Sequence, residues 1–129
     1  MLWWMIKFRA WDKEEKKMHK VKTIEFSRRG ARIIHLAEVH SNGKGDHKRW
    51  HSSVELMQST GLKDKNGVEI YEGDIVENSH KEIGFIKKCS DAFCFNRQER
   101  NFYLSGIGAG SPFEILGNVH QNPELLEGD

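Results

Sequence analysis

A cluster of acidic side chains near the middle of the chain is the first group of residues that could do chemistry. Asp64, Glu69, Glu72 and Asp74 lie close together in sequence, and a pair of carboxylates could act as acid and base or bind a divalent cation. Asp and Glu are also ordinary turn residues, because an Asp carboxylate accepts hydrogen bonds from the nearby backbone. We favour this structural interpretation. Five more residues of the same block could serve a site or the packing around a turn, and they are Gln58, Thr60, Gly67, Tyr71 and Gly73.

No spacing of a base and a nucleophile is recognisable in the chain, so the sequence predicts no catalytic residue. A small toxin-like ribonuclease, with Asp64 or Asp74 acting beside a histidine, is the one enzymatic alternative. The glycine-rich segment 105–111 matches neither the dinucleotide-binding pattern nor the P-loop, and we interpret it as a flexible connector. The protein is therefore expected to be non-enzymatic.

The seven histidines of the chain are potential metal ligands. His47 and His51 would share one face of a helix over residues 46–52, which is the spacing of a two-histidine zinc site. The stretch lacks the Glu that follows the first His in a zinc protease, and it follows a flexible loop, where ligands are not held in place. We therefore predict solvated loop histidines and neither a metal nor another cofactor.

The two cysteines, Cys89 and Cys94, would point to opposite faces of one continuous strand and could then neither form a disulfide nor share a metal. A turn at Ser90-Asp91 would remove this objection. We favour buried, structural cysteines. The use of only two cysteines and the lack of a signal peptide or a long apolar segment predict a cytoplasmic protein without a membrane partner.

Basic residues are concentrated in the first part of the chain. Residues 1–53 contain 13 Lys or Arg against 6 Asp or Glu, a net charge of +7, and residues 54–129 contain 7 against 13, a net charge of −6. The basic half could bind an anionic partner or the acidic half of a second copy. If both halves fold into one domain the charges intermix on its surface, and we favour that arrangement.

Arginines and lysines near Trp50 are the best candidates for contacts to a nucleic acid. They would neutralise phosphates while the Trp50 ring stacks on a base. The sequence pI of about 7.8 is low for a dedicated nucleic-acid-binding domain, so a solvated basic surface is the preferred interpretation. The candidate contacts are Arg28, Arg29, Arg32, Lys44, Lys48, Arg49 and Trp50.

Alternating apolar and polar residues predict short β-strands in the first half of the chain. Residues 6–12 and 18–26 would form a hairpin, although Val21 is out of phase, and residues 31–39 would form a third strand. Residues 54–60 are compatible with a strand or with a helical turn.

Turn residues organise the second half. Asn66-Gly67 between two apolar runs predicts a tight hairpin, because both residues tolerate positive φ. Further strands are predicted after the glycine-containing bend 71–74 and at residues 83–87, 93–96, 102–104 and 113–119.

Many short strands separated by turn residues favour a small β-barrel or sandwich. The bend at Gly73-Asp74 and the short strands that follow it resemble part of an SH3-like barrel. The sequence thus predicts a mainly β protein, with an α+β fold as the alternative. We expect a single domain over residues 1–129, which combines an N-terminal β-hairpin lobe over 1–53 with a barrel-like portion over 54–129.

Three stretches of the chain carry a family resemblance. They are IKFRAWD at residues 6–12 with KKM at 16–18, LMQSTGLKDKNGVEIYEGDIV at 56–76, and FEILGNVHQNPELL at 113–126. Together they resemble the YopX family of phages and prophages. The long, ungapped middle block is the most specific of them, whereas residues 27–55 and 80–112 carry no family signal. The resemblance implies a β-rich fold, a phage or prophage origin and no assigned activity.

The function we expect is that of a non-enzymatic phage accessory protein, which acts through protein–protein contacts and self-association. The absent catalytic pattern, the uneven charge and the number of aromatic residues favour it. The alternative is a nucleic-acid-binding module that uses the basic segment 28–51 on a β-barrel scaffold, and the toxin-like ribonuclease is the second alternative.

Overall fold

The computed structural model of the protein describes residues 7–26, 32–36, 47–90, 92–104 and 113–127. Within these ranges β-strands dominate, so the predicted mainly β fold class is confirmed. Two short 3-10 helices span His51–Ser53 and Pro123–Leu126. The strands are β1 (Phe8–Asp12), β2 (Lys17–Phe26), β3 (Arg32–Leu36), β4 (His47–Trp50), β5 (Val54–Lys63), β6 (Glu69–Tyr71), β7 (Asp74–Glu77), β8 (Ile83–Cys89), β9 (Ala92–Arg97), β10 (Arg100–Tyr103) and β11 (Glu114–Asn118).

The described strands form two antiparallel sheets. One has the order β4-β3-β2-β1-β5-β6 and the other the order β10-β9-β8-β7-β11. Among the strands that the structure describes, no pairing joins the two ends of either sheet, so neither sheet closes into a barrel. Of the barrel and the sandwich that the spacing of the turns favoured, the described strands therefore do not form the barrel, because edge-to-edge closure depends on long-range pairing that turn residues do not encode.

The chain divides into two compact units, Met1–Gln58 and Ser59–Asp129. Strand β5 passes from one to the other. Its residues 54–58 pair with β1 in the first unit, and beyond them Ser59 and Lys63 pair with β6 in the second. The segment 54–60, for which a helical turn was an alternative, is therefore a strand.

The first unit is built around the predicted hairpin of β1 and β2. Its core consists of Ala10, Ile34, Leu36 and Val54, which are all buried. The out-of-phase Val21 has a structural counterpart, because the register between β2 and β3 shifts after this residue. Such a β-bulge places two residues opposite one and thereby breaks the alternation that the sequence pattern assumes.

The second unit has a separate core of apolar and aromatic side chains. The predicted hairpin around Asn66-Gly67 is present, with Lys63 opposite Glu69 at its ends. The turn is wider than predicted, because of these two residues only Gly67 has a positive φ, of 83°. The C-terminal residues 123–126 form a single 3-10 turn. The core residues are Ile70, Val76, Ile86, Phe95, Leu104 and Phe113.

Candidate functional site

The carboxylate of Asp64 is used by the backbone around it. One oxygen, Oδ1, accepts hydrogen bonds from the N–H groups of Asn66 and Val68, each at 2.9 Å. The other, Oδ2, accepts a bond from the N–H of Ile115 at 3.2 Å. Asp64 therefore fixes the Asn66-Gly67 turn and ties it to β11, as Asp side chains commonly do in turns.

The same contacts lower the pKa of Asp64. Burial alone raises the pKa of this carboxyl group, but the N–H groups of Val68, Ile115 and Asn66 and the charge of Lys65 outweigh it and hold the pKa below the usual 3.8. A base for acid–base catalysis near neutral pH needs the opposite shift. The geometry thus gives no support to Asp64 as a catalytic residue.

Asp74 and Gly73 form a second bend of the same kind. Asp74 is 2% exposed, and its Oδ2 accepts a hydrogen bond from the N–H of Tyr71 at 2.7 Å. Gly73 has a φ of 88°, its N–H donates to the carbonyl of Ile86 at 2.8 Å, and its carbonyl accepts from the N–H of Val119 at 2.9 Å. The bend is thereby joined to two other segments of the unit.

The remaining candidates of the family-like block lie along the hairpin of β5 and β6. The hydroxyl of Thr60 donates to the carbonyl of Ile70 at 2.8 Å and accepts from the N–H of Leu62 at 3.1 Å. Gln58 lies opposite Phe8 in the register of β1 and β5. Ser59 donates a hydrogen bond to Glu69 across the same hairpin. The block from Ser59 to Asp74 therefore forms a hydrogen-bonded corner, which we call the Asp64 corner, whereas Gln58 belongs to the first unit.

A second polar turn, which sequence reasoning missed, follows β11. Asn118 is 7% exposed, and its Oδ1 accepts from the N–H groups of His120 and Gln121 at 3.0 and 2.9 Å. The N–H of Asn118 itself donates a hydrogen bond to the Oδ1 of Asn122 at 3.2 Å. The sequence pattern that could have predicted this turn is the pair of asparagines four residues apart in the third family-like stretch.

A groove of about 680 Å³ opens in the second unit beside β9 and β10. Phe95 and Phe113 are each 3% exposed and form its floor, while Phe102 is 46% exposed. The Phe95 ring centroid lies 5.4 Å from that of Phe113 and 6.4 Å from that of Phe102. The groove is therefore an opening through which the aromatic core reaches solvent.

Two turns form the polar rim of the groove. In the first, Gln98 and Glu99 have φ values of 51° and 66°, so β9 turns directly into β10 and Arg97 lies opposite Arg100. In the second, the side chain of Asn78 accepts from the N–H of Glu82 at 3.0 Å and so shapes the connection from β7 to β8. The groove thus combines an aromatic floor with two guanidinium groups.

An ion pair lies at the rim, and the residues of the strand beside it are exposed. The Nε of the half-buried Arg97 lies 3.9 Å from a carboxylate oxygen of Glu82. Among the described strands, β10 is at the edge of its sheet, and all four of its residues are exposed. Tyr103 is 54% exposed. No other part of the described second unit combines arginine and exposed aromatic side chains in this way.

The sequence predicted the two strands beside this groove but not the pairing that brings their arginines together. Residues 93–96 and 102–104 were predicted as strands, and β9 and β10 confirm them with somewhat different ends. The two-residue turn between them contains neither Gly nor Asn, so Arg97 and Arg100 were not recognised as cross-strand neighbours.

The proposed nucleic-acid contacts are only partly described. Arg28, Arg29 and Lys44 lie outside the described residues. The candidates on described strands are Arg32 on β3 and Lys48, Arg49 and Trp50 on β4; the side chains of Arg32 and Arg49 are outside the described part. Lys48 and Trp50 are exposed, Trp50 by 59%, and as alternate residues of one strand they share a face.

The helix assumed for the paired histidines is not formed. His47 begins β4 and His51 begins a 3-10 helix, so the helical spacing that suggested a zinc site does not apply. Three other potential ligands, Asp12, Glu15 and His19, come together in the turn between β1 and β2. Sequence reasoning missed this group because its members approach each other only through the pairing of the two strands.

The cysteines lie on neighbouring strands, since β8 ends at Cys89 and β9 begins at Ala92 opposite it. The objection based on one continuous strand is thereby removed. Both thiols are free, and Cys94 is completely buried. Burial, followed by the hydrogen bond and charge of Cys89, raises the pKa of Cys94 to about 11, against a smaller opposite effect of Lys87. Cys94 is therefore an unreactive, neutral thiol at physiological pH.

Within the residues that the structure describes, no helix combines the length and the apolar character that crossing a membrane requires.

Comparison with known proteins agrees with the resemblance noted in the sequence. Residues 7–127 match the model of the YopX protein family. The crystal structure of protein EF1440 from Enterococcus faecalis is similar, with 34% identity and a TM-score of 0.63 over 94% of this chain and 97% of that chain. The crystal structure of protein yopX from Bacillus subtilis shares the fold, with 19% identity and a TM-score of 0.61 over 95% and 97% of the two chains. Comparison with curated proteins gives no significant match. The family match spans nearly the whole chain, and the chain therefore belongs to the YopX family.

Proposed function

We propose that the protein is a non-enzymatic accessory protein of a phage or prophage, which acts in the host cytoplasm through protein–protein contacts that include self-association. The groove of the second unit is the observation that carries this proposal. Its rim carries Arg97 and Arg100, and the half-exposed Phe102 and the exposed Tyr103 stand on the edge strand beside it. Aromatic and arginine side chains are the types enriched at the centres of protein interfaces.

The exposed edge also favours association. Soluble proteins usually protect an edge strand with charges, proline or a bulge, because its free backbone groups attract another chain. β10 has one such charge, Arg100, but it also exposes two large aromatic rings, Phe102 and Tyr103, in four residues. Covering Phe102 and Tyr103 would remove apolar area from water, which is worth roughly 25 cal/mol per Å² before the costs of association.

The occupant we propose is the C-terminal segment 123–127 of a second copy. Leu126 is 36% exposed and offers an apolar side chain to the aromatic floor. Glu124 and Glu127 are exposed on either side of it and carry the charge that the rim of Arg97 and Arg100 attracts. The groove therefore selects an acidic segment with an apolar centre, and the chain itself contains one.

Sedimentation of the full chain at concentrations from roughly 1 to 100 µM tests self-association, for which we expect a dissociation constant of about 10 µM. Phe102→Ser should weaken association about tenfold, because it removes the aromatic wall of the groove. Val68→Ser is the matched control, since Val68 is an exposed apolar residue of the Asn66-Gly67 hairpin. A wild-type chain that stays monomeric throughout, or equal effects of the two substitutions, would contradict the proposal.

Nucleic-acid binding is the second candidate function. Lys48 and Trp50 favour it, because they are exposed on one face of β4 and combine a cation with a stacking ring. Binding to a single-stranded oligonucleotide should fall steeply between about 50 and 200 mM salt and should be weakened by Trp50→Ala. The matched substitution Tyr103→Ala, an exposed aromatic residue on β10, should leave it unchanged. No binding at the lower salt concentration would end this candidate.

A further inference from the structure

The turn that joins β1 to β2 brings together metal-ligating side chains of two chemical types. Asp12, Glu15 and His19 each offer one ligand atom, and these atoms lie within 4.8 Å of one another. Asp12 is completely buried and His19 is 8% exposed, whereas Glu15 is exposed. Two donors are thus fixed inside the first unit, and the third lies at the surface, where a hydrated ion can reach it.

Backbone geometry determines this convergence. The carbonyl of Asp12 accepts a hydrogen bond from the N–H of Lys16 at 2.8 Å, and its Oδ1 accepts from the N–H groups of Glu14 and Glu15 at 3.0 and 3.4 Å. Lys16 has a φ of 56°, so the chain reverses tightly. Asp12 therefore maintains the shape of the turn that carries the Glu15 side chain.

Strand pairing supplies the imidazole. His19 lies opposite Ala10 in the register of β1 and β2. Ala10 and Asp12 are alternate residues of β1 and share a face, and residues directly opposite each other in an antiparallel pair also share a face. The side chain of His19 is therefore brought to the same side of the hairpin as that of Asp12, and it is held there by burial. Ligands that are fixed before an ion arrives reduce the ordering cost of binding it.

The donor set discriminates between ions. One imidazole nitrogen with two carboxylate oxygens suits Zn²⁺, and three protein ligands leave a position for water. Ca²⁺ and Mg²⁺ prefer sites made of oxygen atoms alone. We propose that the β1–β2 turn is a Zn²⁺ site, with Asp12, Glu15 and His19 as its ligands. The site is in the first unit and does not depend on the groove, so the two proposals can fail separately.

Calorimetric titration of the full chain with ZnCl₂, together with thermal unfolding, tests the site. The wild-type protein should bind Zn²⁺ with a dissociation constant of about 1 µM, and saturating Zn²⁺ should raise its unfolding temperature, because the ion binds the folded turn. Glu15→Gln should weaken binding tenfold or more and reduce the thermal shift. Its matched control is Glu14→Gln, which changes the neighbouring exposed carboxylate of the same turn and should leave both readouts unchanged.

His19→Gln gives a second test, and it should abolish binding at the turn. If this substitution of a buried residue prevents folding, Glu15→Gln still tests the site. Glu15 is exposed, and a surface change of this kind leaves stability nearly unaltered. The seven histidines of the chain make the comparison between variants essential. Absence of Zn²⁺ binding by the wild-type protein, or equal affinities of the Glu15→Gln and Glu14→Gln proteins, would overturn the proposal.

Discussion

The Asp64 corner and the groove belong to the same compact unit, yet they use their polar residues in opposite ways. At the corner, the carboxylates of Asp64 and Asp74 accept hydrogen bonds from backbone N–H groups and are almost completely buried. At the groove, Arg97 and Arg100 stand at the rim of an aromatic opening, and Phe102 is exposed. The corner thus uses its polar groups within the fold, and the groove is the surface at which we propose that a partner binds.

The difference teaches that the most recognisable residues of the sequence are not those available for binding. Residues 56–76 carry the strongest family resemblance, and their polar side chains are engaged in turns. The groove is formed mainly by residues 78–102, most of which carry no family signal. Substitutions at the corner should therefore change stability without changing association, whereas substitutions at the groove should do the reverse.

The largest effect is expected for Asp64→Ala. This substitution removes the charged acceptor of the N–H groups of Asn66, Val68 and Ile115, and we expect the free energy of unfolding to fall by about 3 kcal/mol. Urea denaturation measures the loss. Glu14→Ala, which removes an exposed carboxylate, should cost less than about 0.5 kcal/mol. Similar losses in the two variants would remove the structural role we assign to Asp64.

Acid should act on the same contacts. Because the pKa of Asp64 in the folded protein lies below its usual 3.8, the charged carboxylate stabilises the fold above that pH. This stabilisation is lost as the pH falls through the lower, folded-state pKa. Asp64→Asn should therefore be less stable than the wild type at pH 7 by about 1–2 kcal/mol, with a difference that shrinks below pH 3.8. A difference that does not depend on pH would contradict the assignment.

Gly67 allows the contribution of the backbone to be measured alone. Its φ is 83°, and a Cβ at this position would meet nothing within 4 Å, so Gly67→Ala adds strain without a clash. We expect a loss of about 1 kcal/mol, and a smaller loss for Gly67→Asn, since Asn tolerates positive φ better. Thermal unfolding of the two variants provides the comparison, and equal losses would show that φ is not the cause.

The smallest effect on stability is expected at the groove. Arg100→Glu changes an exposed side chain, and the free energy of unfolding should change by less than about 0.5 kcal/mol. Association, measured by sedimentation, should nevertheless weaken, because the rim loses a cation that attracts the acidic segment. If Arg100→Glu destabilised the fold as strongly as Asp64→Ala, the separation between corner and groove would be lost.

Local patterns predicted much of the fold, and long-range pairing explains the rest. Alternation located β1 and β2, and Asn66-Gly67 located a hairpin, because these signals depend only on neighbouring residues. Strand β4, His47–Trp50, has no such pattern and is positioned by its pairing with β3. Whether a sheet stays open or closes into a barrel likewise depends on which strands pair, and turn residues do not specify this pairing.

The candidate sites were harder to predict for the same reason. Arg97 and Arg100 become neighbours through a turn of Gln98 and Glu99, which lacks the usual turn residues. His19 approaches Asp12 only because β2 pairs with β1 in one particular register. Sequence reasoning identified the acidic residues of the corner, since they stand together in the chain, and it favoured their use in turns. It could not tell from spacing which N–H groups donate to them, above all that of Ile115, 51 residues away from Asp64.

Mixing two oppositely charged variants tests the central claim most directly. One variant, Arg97→Glu with Arg100→Glu, reverses the rim of the groove, and the other, Glu124→Lys with Glu127→Lys, reverses the C-terminal segment. Each should be monomeric alone, because its groove and its segment carry the same charge, whereas the mixture should associate about as strongly as the wild type. Sedimentation of the separate and mixed proteins gives the answer. A mixture that remains monomeric while the wild type associates would contradict docking of the segment in the groove.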